Sequence, residues 1–191
     1  SNVTATYTSE DGSNGLDYSL YQWSSRPSYS LANGATCSGC SLRTTGNIAN
    51  VNYNWGTGSI LGSISDYVLL KITGKFVIPA TLVSEGEEQI VYFKITTDDG
   101  AAFEIDNTII VYSDDSWQPQ PPTPYEGSFT GVAGQAYDLE LYWYEQTGGA
   151  VIKLEYKLSP SDEWTTVPAS AFIVEDSFST PSTYDVYAAQ V

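Results

Sequence analysis

The chain has 191 residues, enough for one ordinary domain with a full hydrophobic core. Seven basic residues face 23 acidic ones, a formal charge of −16 that repels nucleic acid and anionic membranes. There is no histidine, which excludes Ser-His-Asp and Cys-His catalysis and removes zinc's commonest nitrogen ligand. No run of about 18 apolar residues occurs, so membrane insertion is not expected. The N-terminus shows no basic region followed by an apolar one, and the chain contains no methionine. A piece of a larger protein, or the mature product of one, is therefore expected.

In chain order, Asn2 opens "NVT", a formal glycosylation acceptor. Residues 24–54 are loop-rich, with only short apolar pieces. They hold the only cysteine pair, Cys37 and Cys40 in "CSGC". Two thiolates cannot close a tetrahedral zinc site, and a redox pair wants a βαβ setting that this region lacks. A local disulfide formed in an oxidising compartment is the simpler reading. From residue 67 onward the dominant period is two. Residues 67–78, 89–97, 102–112, 137–145 and 151–158 are rich in β-branched and aromatic residues and predict strands.

Turn signals separate these runs: "SEGEE", "TDDG", "VAGQ" and "QTGG", with "DNT" marking a tight hairpin inside the third. In 137–145, Leu139, Leu141 and Trp143 fall on one face, the expected core side. Asp138, Glu140, Tyr142 and Tyr144 fall on the other, the expected surface. Residues 117–127, "WQPQPPTPYEG", hold four prolines and cannot form a central strand. They read either as a connection between sheets or as a stiff wall of a binding site. Residues 159–191 are expected to add an edge strand or a linker. The whole predicts an all-β chain, an antiparallel β-sandwich with long irregular loops, forming one domain over 1–191 with its core at about 15–158.

Two loops carry the chemistry. One places Asp98 and Asp99 side by side before Gly100, and the other is "YEQTGGA", residues 144–150. If both lie at the same end of the sandwich, they assemble an oxygen-rich pocket. Its donors are two carboxylates, the Gln146 amide oxygen and the bare carbonyls near Gly148 and Gly149. Calcium takes about six to eight such oxygens. A bound cation also explains how two adjacent carboxylates stay ionised without mutual repulsion.

"GLDYSLYQW" (15–23), "WGTGSILG" (55–62), "FKITTDDGAAFEIDNTIIV" (93–111), Trp117 and "YEQTGGAVIKLEY" (144–156) occur in an order that resembles the anthrax protective-antigen (PA-14) domain family. Its members are β-sandwich modules of toxins, glycosidases and cell-surface adhesins. The resemblance spans roughly 15–158. It implies, for the lectin members, a paired-aspartate motif joined by a cis peptide and holding one calcium. A second loop adds a side-chain amide and two main-chain carbonyls, and vicinal sugar hydroxyls complete the shell. Carried onto this chain, the metal ligands are Asp98, Asp99, Gln146, Gly148 and Ala150. Thr147 and Trp117 join Asp98, Asp99, Gln146 and Gly148 as sugar-binding candidates, Trp117 as a stacking face. The glutamine where yeast flocculins carry asparagine, the glycine-rich loop after it and the sparse cysteines look closer to bacterial RTX-type adhesins. A glycine-rich rim implies an open site tolerant of several sugars.

The leading expectation is a calcium-dependent lectin module of a secreted or cell-surface adhesin. It would sit among neighbouring domains, bind cell-surface glycans or monosaccharides, and cleave nothing. A glycoside hydrolase needs carboxyls about 5–9.5 Å apart across a sugar bond. Adjacent Asp98 and Asp99 suit that poorly, and nothing in the sequence marks Glu145 as a raised-pKa acid. A third reading is a spacer domain that calcium only stiffens.

Overall fold

The computed structural model describes residues 13–79 and 84–174. The acceptor sequence at Asn2 and the tail beyond residue 174 lie outside the described residues. In chain order the strands are β1 (Leu16–Gln22), β2 (Ser28–Ser30), β3 (Gly34–Thr36), β4 (Ser41–Ile48), β5 (Asn52–Gly56), β6 (Val68–Val77) and β7 (Glu88–Asp98). They continue as β8 (Gly100–Ile105), β9 (Thr108–Val111), β10 (Thr123–Val132), β11 (Ala136–Glu145), β12 (Ala150–Lys157), β13 (Thr165–Thr166) and β14 (Phe172–Ile173). Sheet one runs β4-β1-β6-β11-β8-β9, with β14 also on β6. Sheet two runs β10-β7-β12-β13, with β5 also on β12. Both sheets are antiparallel throughout, as the period-two pattern predicts. No helix among the described residues is long and apolar enough to cross a membrane.

The two inner faces bury one apolar layer. Leu16, Leu20, Ile72 and Phe76 of sheet one meet Phe93, Ile95, Ile152 and Leu154 of sheet two, all fully buried. The Phe93 ring stands edge-on to both Phe76 and Phe103, each at 5.2 Å between centroids. Edge-to-face pairs of this kind add about 0.5–1.5 kcal/mol beyond their buried area. The "DNT" turn forms as expected: Ile105 pairs with Thr108, and Asp106 and Asn107 take φ of 50° and 57°. Two positive φ values in a two-residue loop match the twist of the flanking strands.

Three expectations change. Residues 24–54 are not mainly loop, for they contain β2, β3, β4 and most of β5. β4 escapes a hydrophobicity reading because it is an edge strand whose only buried residue is Ile48. The proline-rich segment, expected as a connection or a wall, enters a strand, β10, at Thr123; it is not a central strand, as the prolines require, but the rim of sheet two, where Pro124 faces Thr96 on one side only. The third change concerns β11. Its core face is Leu139, Leu141 and Trp143 as expected, yet Tyr142 and Tyr144 are also buried. A second cluster covers sheet one from outside, built from Trp23, Tyr29, Ala35, Leu69, Ala102 and Trp117 around those two tyrosines. The hairpin β2–β3 delivers Tyr29, whose hydroxyl donates to the buried Glu104 carboxylate. Cys37 and Cys40, joined by a disulfide, pack against the edge of this cluster.

Gly100 sits beneath the same layer. A Cβ there would fall inside the van der Waals envelope of the Tyr144 ring, which is fully buried. Gly100→Ala is therefore expected to destabilise by about 1–3 kcal/mol through overpacking, seen as a lowered Tm in a thermal melt.

Candidate metal and ligand site

The site arises because the chain crosses between the sheets twice, side by side. β7 ends at Asp98 in sheet two and β8 starts at Gly100 in sheet one, so Asp99 is the whole crossing. β11 ends at Glu145 in sheet one and β12 starts at Ala150 in sheet two, so 146–149 is the return. Gly100 pairs with Tyr144 in one sheet, and Asp98 pairs with Val151 in the other. Those two ladders hold the crossings against each other at one end of the sandwich.

Strand alternation then decides what points inward. Val91, Phe93, Ile95 and Thr97 are the fully buried face of β7, and Asp99 continues that series at 5% exposure. Leu139, Leu141 and Trp143 are the core face of β11, and Glu145 continues it at 0%. The core face of β11 thus ends on a carboxylate, and β7 is followed directly by another, Asp99. One oxygen from each of Asp98, Asp99 and Glu145 lies within 4.8 Å of the others.

These three carboxylates are held differently. Asp99 is clamped: Gln120 N donates to its Oδ1 at 2.9 Å and Gln146 N to its Oδ2 at 2.8 Å. Its carbonyl accepts from Thr97 Oγ1 at 2.9 Å and Gln120 Nε2 at 3.2 Å. Asp98 is fixed through its main chain, whose carbonyl accepts from Trp143 Nε1 at 3.1 Å. The peptide joining the two aspartates is cis. Glu145 is the exception, since both of its buried oxygens lack any hydrogen-bond partner.

Burial pushes all three pKa values up, and for Glu145 and Asp98 the neighbouring negative charges add to it. Glu145 rises to about 8, first through burial and then through the charges of Asp99, Asp98 and Asp66. The Asp99 N–H offsets part of this from outside hydrogen-bonding geometry. Asp98 rises to about 6 through burial and the Asp99 charge. Burial also raises Asp99, while the Gln146 and Gln120 N–H groups and the Arg26 charge pull it back. An unpaired carboxylate buried beside two others is costly unless it is protonated or meets a cation.

The sequence-predicted residues are distributed as follows. Asp98 and Asp99 are together, with Gln146 against them. Gln146 contributes its main chain, donating N–H to Asp99 and accepting from Tyr67 N at 2.9 Å; its side-chain amide makes no hydrogen bond among the described residues. Thr147 and Gly148 are exposed at the loop tip, and Gly148 has a φ of 110°. Ala150 is already inside β12, buried opposite Gly56. Gly149 comes nearer the carboxylates, for a Cβ there would lie 3.1 Å from Asp98 Oδ2.

Trp117 is the clearest departure. At 6% exposure it offers no open face for a sugar. Its ring packs against Tyr29 and Tyr144, and its Nε1 donates to Pro27 O at 3.0 Å. The hairpin β2–β3 and the turn that carries it enclose the indole. Glu145 and Gln120 are the residues missed from sequence. A signal for Glu145 was present, since it occupies the next core-facing register after Leu139, Leu141 and Trp143. No comparable signal marks Gln120, whose place depends on how the proline-rich segment folds back.

No protein-family model matches the chain. Over 127 residues it is 26% identical to the anti-sigma-I factor RsgI3 of Acetivibrio thermocellus, an alignment covering 66% of this chain and 18% of that protein. Among solved structures it resembles an anti-sigma factor domain-containing protein, with a TM-score of 0.67 and 22% identity, over 86% of this chain and 48% of the other. It also resembles the PA14 domain of the antifreeze protein MpAFP, with a TM-score of 0.62 and 15% identity, over 93% of this chain and all (100%) of that domain. A PA14 sugar-binding domain from an RTX adhesin gives a TM-score of 0.55 at 16% identity, over 84% of this chain and 98% of that one. The chain thus spans about half or less of the anti-sigma proteins it matches. At these identities the likeness to solved structures establishes the fold: the chain is a PA14-type antiparallel β-sandwich.

Proposed function

We propose that this chain is a calcium-dependent carbohydrate-binding module acting outside the cell or at its surface. The observation that supports it best is Glu145, a fully buried carboxylate with both oxygens unpartnered, facing Asp98 and Asp99. The donors gathered there are all oxygen, with no nitrogen or sulfur ligand among them, which suits a hard cation such as calcium. Asp98, Asp99 and Glu145 would hold it, with main-chain carbonyls of 148–149 within the same loop. Bound there, calcium supplies coordination positions that two vicinal sugar hydroxyls can occupy.

This chain's own residues do the positioning. The N–H groups of Gln120 and Gln146 fix the Asp99 carboxylate, and Trp143 fixes the Asp98 main chain. Thr147 and Gly148 are exposed at the tip of the loop that runs beside these carboxylates. Carboxylates gathered this closely are badly placed to flank a glycosidic bond from opposite sides, where separations of about 5–9.5 Å are needed. Binding without cleavage is the better reading. A single site of this kind is weak, on the order of millimolar to micromolar, or about −4 to −8 kcal/mol. Several copies, or neighbouring domains, would supply avidity.

The relatives favour two settings for such a module. One is an adhesin, as with the RTX domain. The other is a part of an anti-sigma factor, as with the curated relative. Both need the same site to bind a glycan. A glycan array run with calcium and with EDTA, on the wild type and Asp98→Ala, tests the shared claim. Binding that vanishes in EDTA and in Asp98→Ala is expected. Binding that persists in both removes the metal from the mechanism. Calcium binding with no glycan hit leaves only the stiffened spacer.

A further inference from the structure

Beside the carboxylate cluster, on the outer side of sheet one, lies a groove of about 550 Å³, within the usual range of about 300–1,000 Å³ for small-ligand sites. Its floor is aromatic. Tyr112, half-buried, packs on Tyr29 at 4.3 Å, and Trp117 closes the floor behind Tyr29 at 5.7 Å. Arg26, Asp114 and Gln118, all exposed, are polar residues of its lining. Arg26 makes no ion pair and no side-chain hydrogen bond among the described residues, so its donors are open to a ligand.

The groove adjoins the carboxylate site along a single run of chain. Trp117, Gln118 and Pro119 line it, and the next residue, Gln120, donates to Asp99 Oδ1. Arg26 bridges the two electrostatically, since its charge acts on Asp99. Trp117 also abuts Tyr144, the residue before Glu145, at 5.0 Å. A ligand seated at the carboxylates and longer than one ring therefore has this groove as its neighbour.

We propose that the groove is a second saccharide subsite, taking further residues of a neutral linear oligosaccharide whose hydroxyl pair sits at the carboxylate site. The proposal rests on the carbohydrate reading given above. The C–H face of a pyranose packs on the exposed part of Tyr112, while Arg26, Asp114 and Gln118 provide both donors and acceptors for its hydroxyls. Charge selects against polyanions, because Asp114 and the nearby carboxylates lie in a surface of net charge −16. The chain length of the ligand, more than its terminal sugar, would set affinity.

The test is calorimetry in calcium with glucose, galactose and xylose, each against its β-linked tetraose. At least one tetraose is expected to bind about tenfold or more tighter than its monosaccharide. Tyr112→Ala and, separately, the exposed Asp114→Ala should bring that tetraose to within about threefold of the monosaccharide. Both variants should leave monosaccharide and calcium affinities unchanged. Tetraoses that bind no tighter than monosaccharides, or a preference that survives both variants, overturn the subsite. The two readings fail separately. Tetraose binding that survives EDTA but is lost in Tyr112→Ala upholds the groove and removes the cation. EDTA-sensitive monosaccharide binding without any gain for the tetraose does the reverse.

Discussion

Raising the pH of the metal-free protein from about 4.5 to about 8.5 is expected to lower its melting temperature. Glu145 and Asp98 titrate near 8 and near 6 in the folded chain, against about 4 in an unfolded one. Between those values the folded state holds protons that the unfolded chain has already released. Stability therefore falls as pH rises, the reverse of what salt-bridged carboxylates produce. The contribution is fully present below about pH 4 and is lost as pH passes through 6 and then 8. Each pKa unit corresponds to about 1.4 kcal/mol, and the two groups repel each other, so the combined loss is on the order of several kcal/mol. At about 2–4 °C per kcal/mol for a domain of this size, a drop on the order of 10 °C follows. Melts in EDTA across that range check it. Glu145→Gln should remove most of the slope, and saturating calcium should flatten or invert it.

Asp98→Ala and Asp99→Ala are expected to weaken calcium binding alike but to separate in stability. Each removes one carboxylate of the three, which should cost at least about 100-fold in affinity, or about 2.7 kcal/mol. The Asp98 side chain accepts no hydrogen bond from the described residues, so its loss only relieves repulsion. The metal-free Asp98→Ala protein should melt at or above the wild type. Asp99 accepts from two main-chain N–H groups, and alanine leaves both unsatisfied in a buried place. That costs about 1–3 kcal/mol for each, so Asp99→Ala should melt well below the wild type at pH 5, where the repulsion it relieves is small. Calcium titrations paired with melts in EDTA distinguish the two. Equal melting temperatures would mean that the Asp99 clamp does not bear on stability.

Much of this was legible in the sequence, and the limits have physical causes. Runs rich in β-branched and aromatic residues mark β6, β7, β8, β9, β11 and β12, and the period of two is cleanest in β6 and β7, where one face is buried and the other is not. β4 was missed because both its faces are largely wet. The outer aromatic layer could not be seen, since Trp23, Tyr29 and Trp117 come from three distant segments and none lies in a periodic run. For the same reason Trp117 stood as a candidate stacking face, and Tyr142 and Tyr144 read as surface. The paired aspartates and the glycine-rich loop stood out by residue type and by family resemblance. Glu145 did not, although the alternation that placed Trp143 in the core reaches Glu145 two residues later. A carboxylate in a core register is the sign that the strand ends on a site.

The most direct measurement is a calorimetric calcium titration at pH 7 in two buffers of different ionisation enthalpy. With its pKa near 8, Glu145 is mostly protonated at pH 7 and must ionise to bind a cation. One calcium per chain with release of about one proton is expected, and Glu145→Gln should abolish the release while weakening binding. No saturable calcium binding, or binding with no proton released and unchanged in Glu145→Gln, contradicts a cation site built on the three carboxylates.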